Sequence, residues 1–156
     1  MTADVIAAAI LTLLPSSNVG SHRREHEAHC YSLIVKKESE RFGVPPLVLV
    51  ALVSRESSWK ARAVNKQSGA VGLGQLMPGT DTTKGFDGYD LTDPAVNLHL
   101  TARRLARFQK LAGGAGQDGI WLAVSGFNGR GVKAVSPFAR EVMRIYESIV
   151  AASVNR

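Results

Sequence analysis

One cysteine, Cys30, stands in a chain of 156 residues, so no intrachain disulfide can form. Cys30 keeps step with Leu33 and Ile34, which predicts a buried structural thiol rather than a nucleophile. Aromatic residues are scarce, at 6%. There is no aromatic RNA-binding motif and no zinc-finger spacing, so no nucleic-acid partner is expected. No apolar run is long enough to cross a bilayer, which takes about 20 residues. The run from Ala3 to Leu14 falls short of that length. It is also a poor signal peptide, because Asp4 stands where a basic residue would precede the apolar core. Internal repeats and interdomain linkers are missing as well.

What is present is the composition of a single globular domain: 45% apolar and 21% charged residues. Lys and Arg outnumber Asp and Glu by 19 to 13, a net charge of +6. A basic surface suits an anionic partner, though charge alone does not choose among wall polymer, acidic lipid and nucleic acid.

The chain is organised around residues 55–80, RESSWKARAVNKQSGAVGLGQLMPGT. Pro45-Pro46 fits a helix start, since proline is tolerated at the first helical position. The segment LVLVALVSRES continues as helix, with Val48, Leu52 and Glu56 four apart on one face. Leu47, Ala51 and Val53 widen that face. The pattern therefore turns a carboxylate inward at the C-terminal end of an apolar helix. Burial and the negative end of the helix dipole both favour its protonated form, which is what a general acid needs. The plainer alternative is a helix-end glutamate turned to solvent or paired with Arg55 or Lys60. Gly69, Gly72, Gly74 and Gly79 follow. Glycine permits positive φ and close backbone approach to a ligand, and Gln75 offers both an amide donor and an acceptor for sugar hydroxyls. A phosphate loop is excluded, for there is no GxGxxG and no Gly-Lys-Ser/Thr. An ordinary structural turn would carry the same glycines.

The series E-S-x-W, then S-G-A-x-G-L-x-Q-L-M-P-x-T, resembles the catalytic region of the soluble lytic transglycosylase family, related to goose-type lysozymes. Phe42 to Val53 resembles the family's lead-in helix, and Asp93-Pro94 with Asn97-Leu98 its next helix start. Ala123 to Asn128 resembles its Ala-Tyr-Asn motif. The resemblance spans roughly Ala28 to Tyr146. It implies a mainly α, lysozyme-like helical domain with an active-site cleft and little or no β-sheet. Residues 1–20 would form an N-terminal helix and connector, and residues 21–156 the catalytic domain. The implied activity is cleavage of the MurNAc-β-1,4-GlcNAc bond of peptidoglycan to leave 1,6-anhydroMurNAc ends. Glu56 would act as acid and then as base, with no cofactor and no metal. Ser57, Gln75, Met77 and Asn128 would contact substrate or support the site.

Two positions depart from the family pattern. Phe127 and Phe138 stand where the family often has tyrosines, which predicts lower or narrower activity. Tyr146 or Tyr89 could compensate. Two other functions compete: a lysozyme-like muramidase in which Asp87 or Asp90 holds a water, and a non-catalytic wall-binding structural subunit. The expected place of action is the bacterial cell wall, in the periplasm. The weak leader points to delivery by a phage particle or a secretion machine, whose proteins would be further partners.

The remaining chain reads as helices with polar breaks. Val5, Ile6, Ile10, Leu13 and Leu14 predict a short packing helix, broken at 15–21. His22, His26 and His29 tempt a metal reading, but no fourth ligand accompanies them, and a solvated helix start is expected. Leu33, Ile34 and Phe42 give that helix its apolar side, and Gly43 ends it. Asp93 is an N-cap candidate for a helix with Leu98, Ala102, Leu105 and Phe108 inside, and Arg103, Arg104, Arg107 and Lys110 mostly on a solvated face. A connector at 111–119 leads to an apolar helix near 120–128. A last helix follows, from about 136 to 150, with Phe138, Val142, Ile145 and Ile149 inside.

Overall fold

Leu49 to Val53 are wholly shielded from solvent, on every side of one helix. A helix that is apolar all round belongs at the centre of a fold, and that is where this one lies in the computed structural model, which describes residues 1–15, 20–114 and 116–154. Among the described residues six helices follow in order: α1 (Ala3–Leu13), α2 (Ser21–Phe42), α3 (Pro46–Ser57), α4 (Pro94–Leu111), α5 (Gln117–Phe127) and α6 (Pro137–Val154). The central helix is α3, packed on α6, α1 and α2. Helix α4 lies against α2 and α5, and α5 against α6. Among the described residues there is no sheet, only isolated antiparallel bridges at Val64–Val71 and Val71–Leu76. The fold is mainly helical, as expected.

Local signals explain most helix ends. Pro46 opens α3 at its first position. Asp93 caps α4, accepting hydrogen bonds from the Ala95 and Val96 amides at 2.8 and 3.0 Å. Gly43 closes α2 at φ 66°. In α1, Ile6, Ala9 and Ile10 are buried against α2, α3 and α6. The break expected at 15–21 falls largely on residues 16–19, outside the described residues, and residue 115 of the expected 111–119 connector is also outside them. Helix α5 begins before the expected residue 120, and α6 continues beyond the expected 150.

Helix α2 departs from its expected face. Cys30 is exposed, and so is half of Leu33. The buried stripe is Ala28, Tyr31, Ser32, Val35, Glu38 and Ser39, which is helical in period but half polar. Two of its three polar side chains find partners, while the Ser39 hydroxyl has none among the described residues. Ser32 donates to the His29 carbonyl at 2.7 Å, and Glu38 meets His99 Nδ1 at 2.8 Å. His22, His26 and His29 all face solvent.

Residues 58–93, between α3 and α4, have no helix and are fixed by side chains from α4. The buried Asn97 accepts from the Gly74 amide at 2.7 Å and donates to the Val71 and Leu91 carbonyls at 3.0 and 2.8 Å. Gly72 sits at φ 79°, where a Cβ would run into the Asn97 side chain and the Leu91 carbonyl; at Gly74 it would run into Thr101. The close approach that these glycines permit is therefore to helix α4.

Candidate active site

Glu56 lies in the last turn of α3, one residue before the helix ends at Ser57. Ser58 and Trp59 then take positive φ, 51° and 61°, which turns the chain sharply away. Trp59 is buried, with its ring 5.2 Å from that of Tyr31. This anchors the turn and leaves the Glu56 side chain half-buried at the helix end. Burial pushes its carboxyl up to about 7, against the smaller opposing pull of the Arg55 and then the Arg104 guanidinium. Among the described residues no hydrogen-bond donor reaches that carboxyl.

Arg104 was expected on a solvated face and instead turns inward. Its Nη2 donates to the Phe127 carbonyl at 2.7 Å and its Nη1 to Thr82 Oγ1 at 3.3 Å. The guanidinium lies 4.7 Å over the Phe127 ring, a favourable cation–π arrangement. The same side chain thus ties α4 to the end of α5 and to the long loop, and places its charge where Glu56 feels it. The signal lay in the helical period: Asn97, Thr101, Arg104 and Phe108 fall at i, i+4, i+7 and i+11, one stripe of α4. Its polar members look like a solvated face until the loop that covers them is known.

Arg55 is the second cation beside Glu56. It pairs with Glu141 and lies 5.4 Å over the Phe138 ring. Phe127 and Phe138, the two departures from the family pattern, thus each carry an arginine that acts on Glu56. The two tyrosines named as compensation have aromatic partners of their own. Tyr146 stacks on Trp121 at 5.5 Å and shares a hollow with Pro45 and Val48; Val48 is about 12 Å along the helix from Glu56 at 1.5 Å per residue. Tyr89 is exposed and stacks on Phe86.

The other expected site residues divide. Ser57 is buried and donates to the Val53 carbonyl at 3.3 Å. Gln75, at φ 49°, turns its amide nitrogen into the loop, to the carbonyls of Gly72 at 3.0 Å and Ala63 at 3.4 Å. Met77 is half-buried and shares a hollow of about 450 Å³ with Arg104. Asn128 is exposed at the end of α5, adjoining the carbonyl that Arg104 holds. Asp87 and Asp90 are both exposed. Asp90 accepts from the Thr92 hydroxyl and amide at 2.7 and 2.8 Å, which lowers its pKa. Among the described residues no group of three His, Cys, Asp or Glu is placed to hold a metal ion, and no helix is long and apolar enough to cross a membrane.

Comparison with known proteins identifies the family. The chain is 30% identical over 143 residues to the membrane-bound lytic murein transglycosylase C of Edwardsiella ictaluri (strain 93-146). The alignment takes in 84% of this chain and 37% of that relative's length. The profile of the transglycosylase SLT domain matches residues 33–140, which include Glu56, the glycine-rich loop, all of α4 and Asn128. On that match the chain belongs to the transglycosylase SLT domain family.

Proposed function

We propose that this protein is a peptidoglycan lytic transglycosylase in which Glu56 acts first as acid and then as base. The observation that carries the reading is the setting of Glu56: a half-buried carboxyl at the end of an apolar helix, without a hydrogen-bond donor among the described residues and within the field of two guanidiniums. With its pKa raised to about 7, the acid and the carboxylate are both populated near neutrality.

The steps balance without water. Glu56 donates its proton to the oxygen linking MurNAc C1 to the next GlcNAc, and the C1–O bond breaks. The carboxylate so formed is stabilised by the positive charges of Arg55 and Arg104. It then takes the proton of the MurNAc 6-hydroxyl as that oxygen bonds to C1, which closes the 1,6-anhydro ring and restores the acid. Met77 would give the cleft an apolar wall, Gln75 and Asn128 would meet the sugar chain, and Ser57 would support the helix end from which Glu56 projects. Two-carboxylate hydrolysis needs a second acid held for a water. Asp87 and Asp90 suit that role poorly, being exposed, with Asp90 already engaged by Thr92.

Mass spectrometry of fragments released from purified peptidoglycan by the wild type and by Glu56→Gln tests the proposal. Anhydro-MurNAc ends from the wild type alone are expected. Reducing MurNAc ends would make it a hydrolase, and release by both proteins would remove Glu56 from the chemistry.

A further inference from the structure

The hollow of about 450 Å³ that includes Met77 carries more positive charge than the two proton transfers use. Met77, Thr80 and Thr82 form its loop side, and Arg103, Arg104 and Arg107 its α4 side. Arg103 and Arg104 donate to neutral acceptors: Arg103 to the Thr82 and Lys84 carbonyls at 2.7 and 3.2 Å, and Arg104 to Phe127 and Thr82. Among the described residues neither forms an ion pair with a carboxylate. Arg107 has only Asp81, at 3.9 Å, with the two side chains 63% and 80% exposed. A pair so long and so open contributes little and is easily exchanged. Three guanidiniums thus share one hollow with one weakly held carboxylate.

We infer that this hollow is a binding site for an oxyanion of the substrate, a carboxylate of the peptide stem, and that Arg107 is its exposed anchor. The inference rests on the transglycosylase reading. Arg103 and Arg104 are fixed by the loop and by the end of α5, so their charges are positioned before substrate arrives. Arg107 is free to leave Asp81 and form a two-pronged contact, which guanidinium groups make with carboxylates and phosphates alike. Because Arg104 also acts on Glu56, an anion seated here sits beside the groups that set the acid.

The test uses the full chain on three forms of insoluble wall glycan: native, carboxyl-amidated so that the stems stay but lose their charge, and hydrofluoric-acid-treated so that phosphodiester-linked polymer is removed. The expected result is a kcat/KM on native glycan roughly 1.5- to 5-fold above that on amidated glycan, the range of one exposed charge contact. That ratio should fall toward one in Arg107→Gln and be kept in part in Arg107→Lys, which retains the charge but not the two-pronged contact. A preference lost only after acid treatment would assign the site to phosphate, still an oxyanion. Equal rates on all three forms, or the same ratio in the wild type and Arg107→Gln, would overturn the inference. If no form is cleaved, the transglycosylase reading fails by itself. Co-sedimentation with the three glycans then reads the hollow without turnover, by the same ratio and the same variants.

Discussion

Glu56 couples activity and stability through one proton. Its pKa is about 7 in the fold, against an ordinary 4.5. Between those values the folded chain holds a proton that the unfolded chain releases. Stability is therefore fully present below about pH 4.5, falls as pH rises through the window, and stays lowered above about 7. Glu56→Gln removes the titration. The variant should be more stable than wild type at pH 8 by roughly 1–3 kcal/mol, allowing for the part of the carboxyl that remains hydrated, and equal to it at pH 4. Melting curves at the two pH values read the difference. Wild-type turnover should fall above about pH 7 as the acid is lost. Phe138 offers a second test of the same group. Its ring carries Arg55, which acts on Glu56. Phe138→Tyr supplies a hydroxyl that can donate to the carboxylate and favour its charged form. Higher turnover is expected, with the basic limb moved to lower pH; a pH–rate profile superimposable on wild type would show that the missing hydroxyl does not tune this site.

Helix α4 holds the long loop in place through a stripe that is mostly polar. Asn97 alone bonds to Gly74, Val71 and Leu91 and accepts from Thr101 at 3.3 Å. Asn97→Ala would leave the buried Gly74 amide and the half-buried Leu91 carbonyl unpaired and the Val71 carbonyl with the Leu76 amide alone, and roughly 2–4 kcal/mol of stability should be lost. Because Gln75 and Met77 sit on that loop, KM should rise even where the variant remains folded, which chemical denaturation and steady-state kinetics would separate. This stripe also marks the limit of what the sequence could tell. The apolar run of α3, the Asp93 cap and the Gly43 stop were legible, since each depends on neighbours close in the chain. Cys30 and Leu33 misled because the inner face of α2 is half polar: Ser32, Glu38 and Ser39 are buried, and the His99 that receives Glu38 is 61 residues away in the chain. Arg104 was read as solvated for the same reason. Its helical spacing was visible, but the loop and the Phe127 carbonyl that receive it were not.

At the scale of the whole molecule, the net charge of +6 separates binding from folding. The ion pairs of the fold are mainly exposed: Lys36–Glu40, Arg107–Asp81 and Arg55–Glu141 each have side chains more than a third accessible. Pairs of that kind are worth little in water, so screening them should hardly move the melting temperature. The buried contact of Glu38 with His99 is shielded from salt by position. Attraction to an anionic wall is different, because it acts across solvent and sums over many charges. The screening length is about 10 Å at 0.1 M salt and about 3 Å at 1 M. Raising salt across that range should weaken co-sedimentation with native glycan by roughly tenfold or more, in line with steering by a basic surface, while the melting temperature stays nearly constant. Carboxyl-amidated glycan should show a much flatter salt dependence. If stability fell in step with binding, the positive charge would be holding the fold together rather than the substrate; if binding ignored salt, glycan would be held by sugar contacts alone and the basic surface would have no part in recognition.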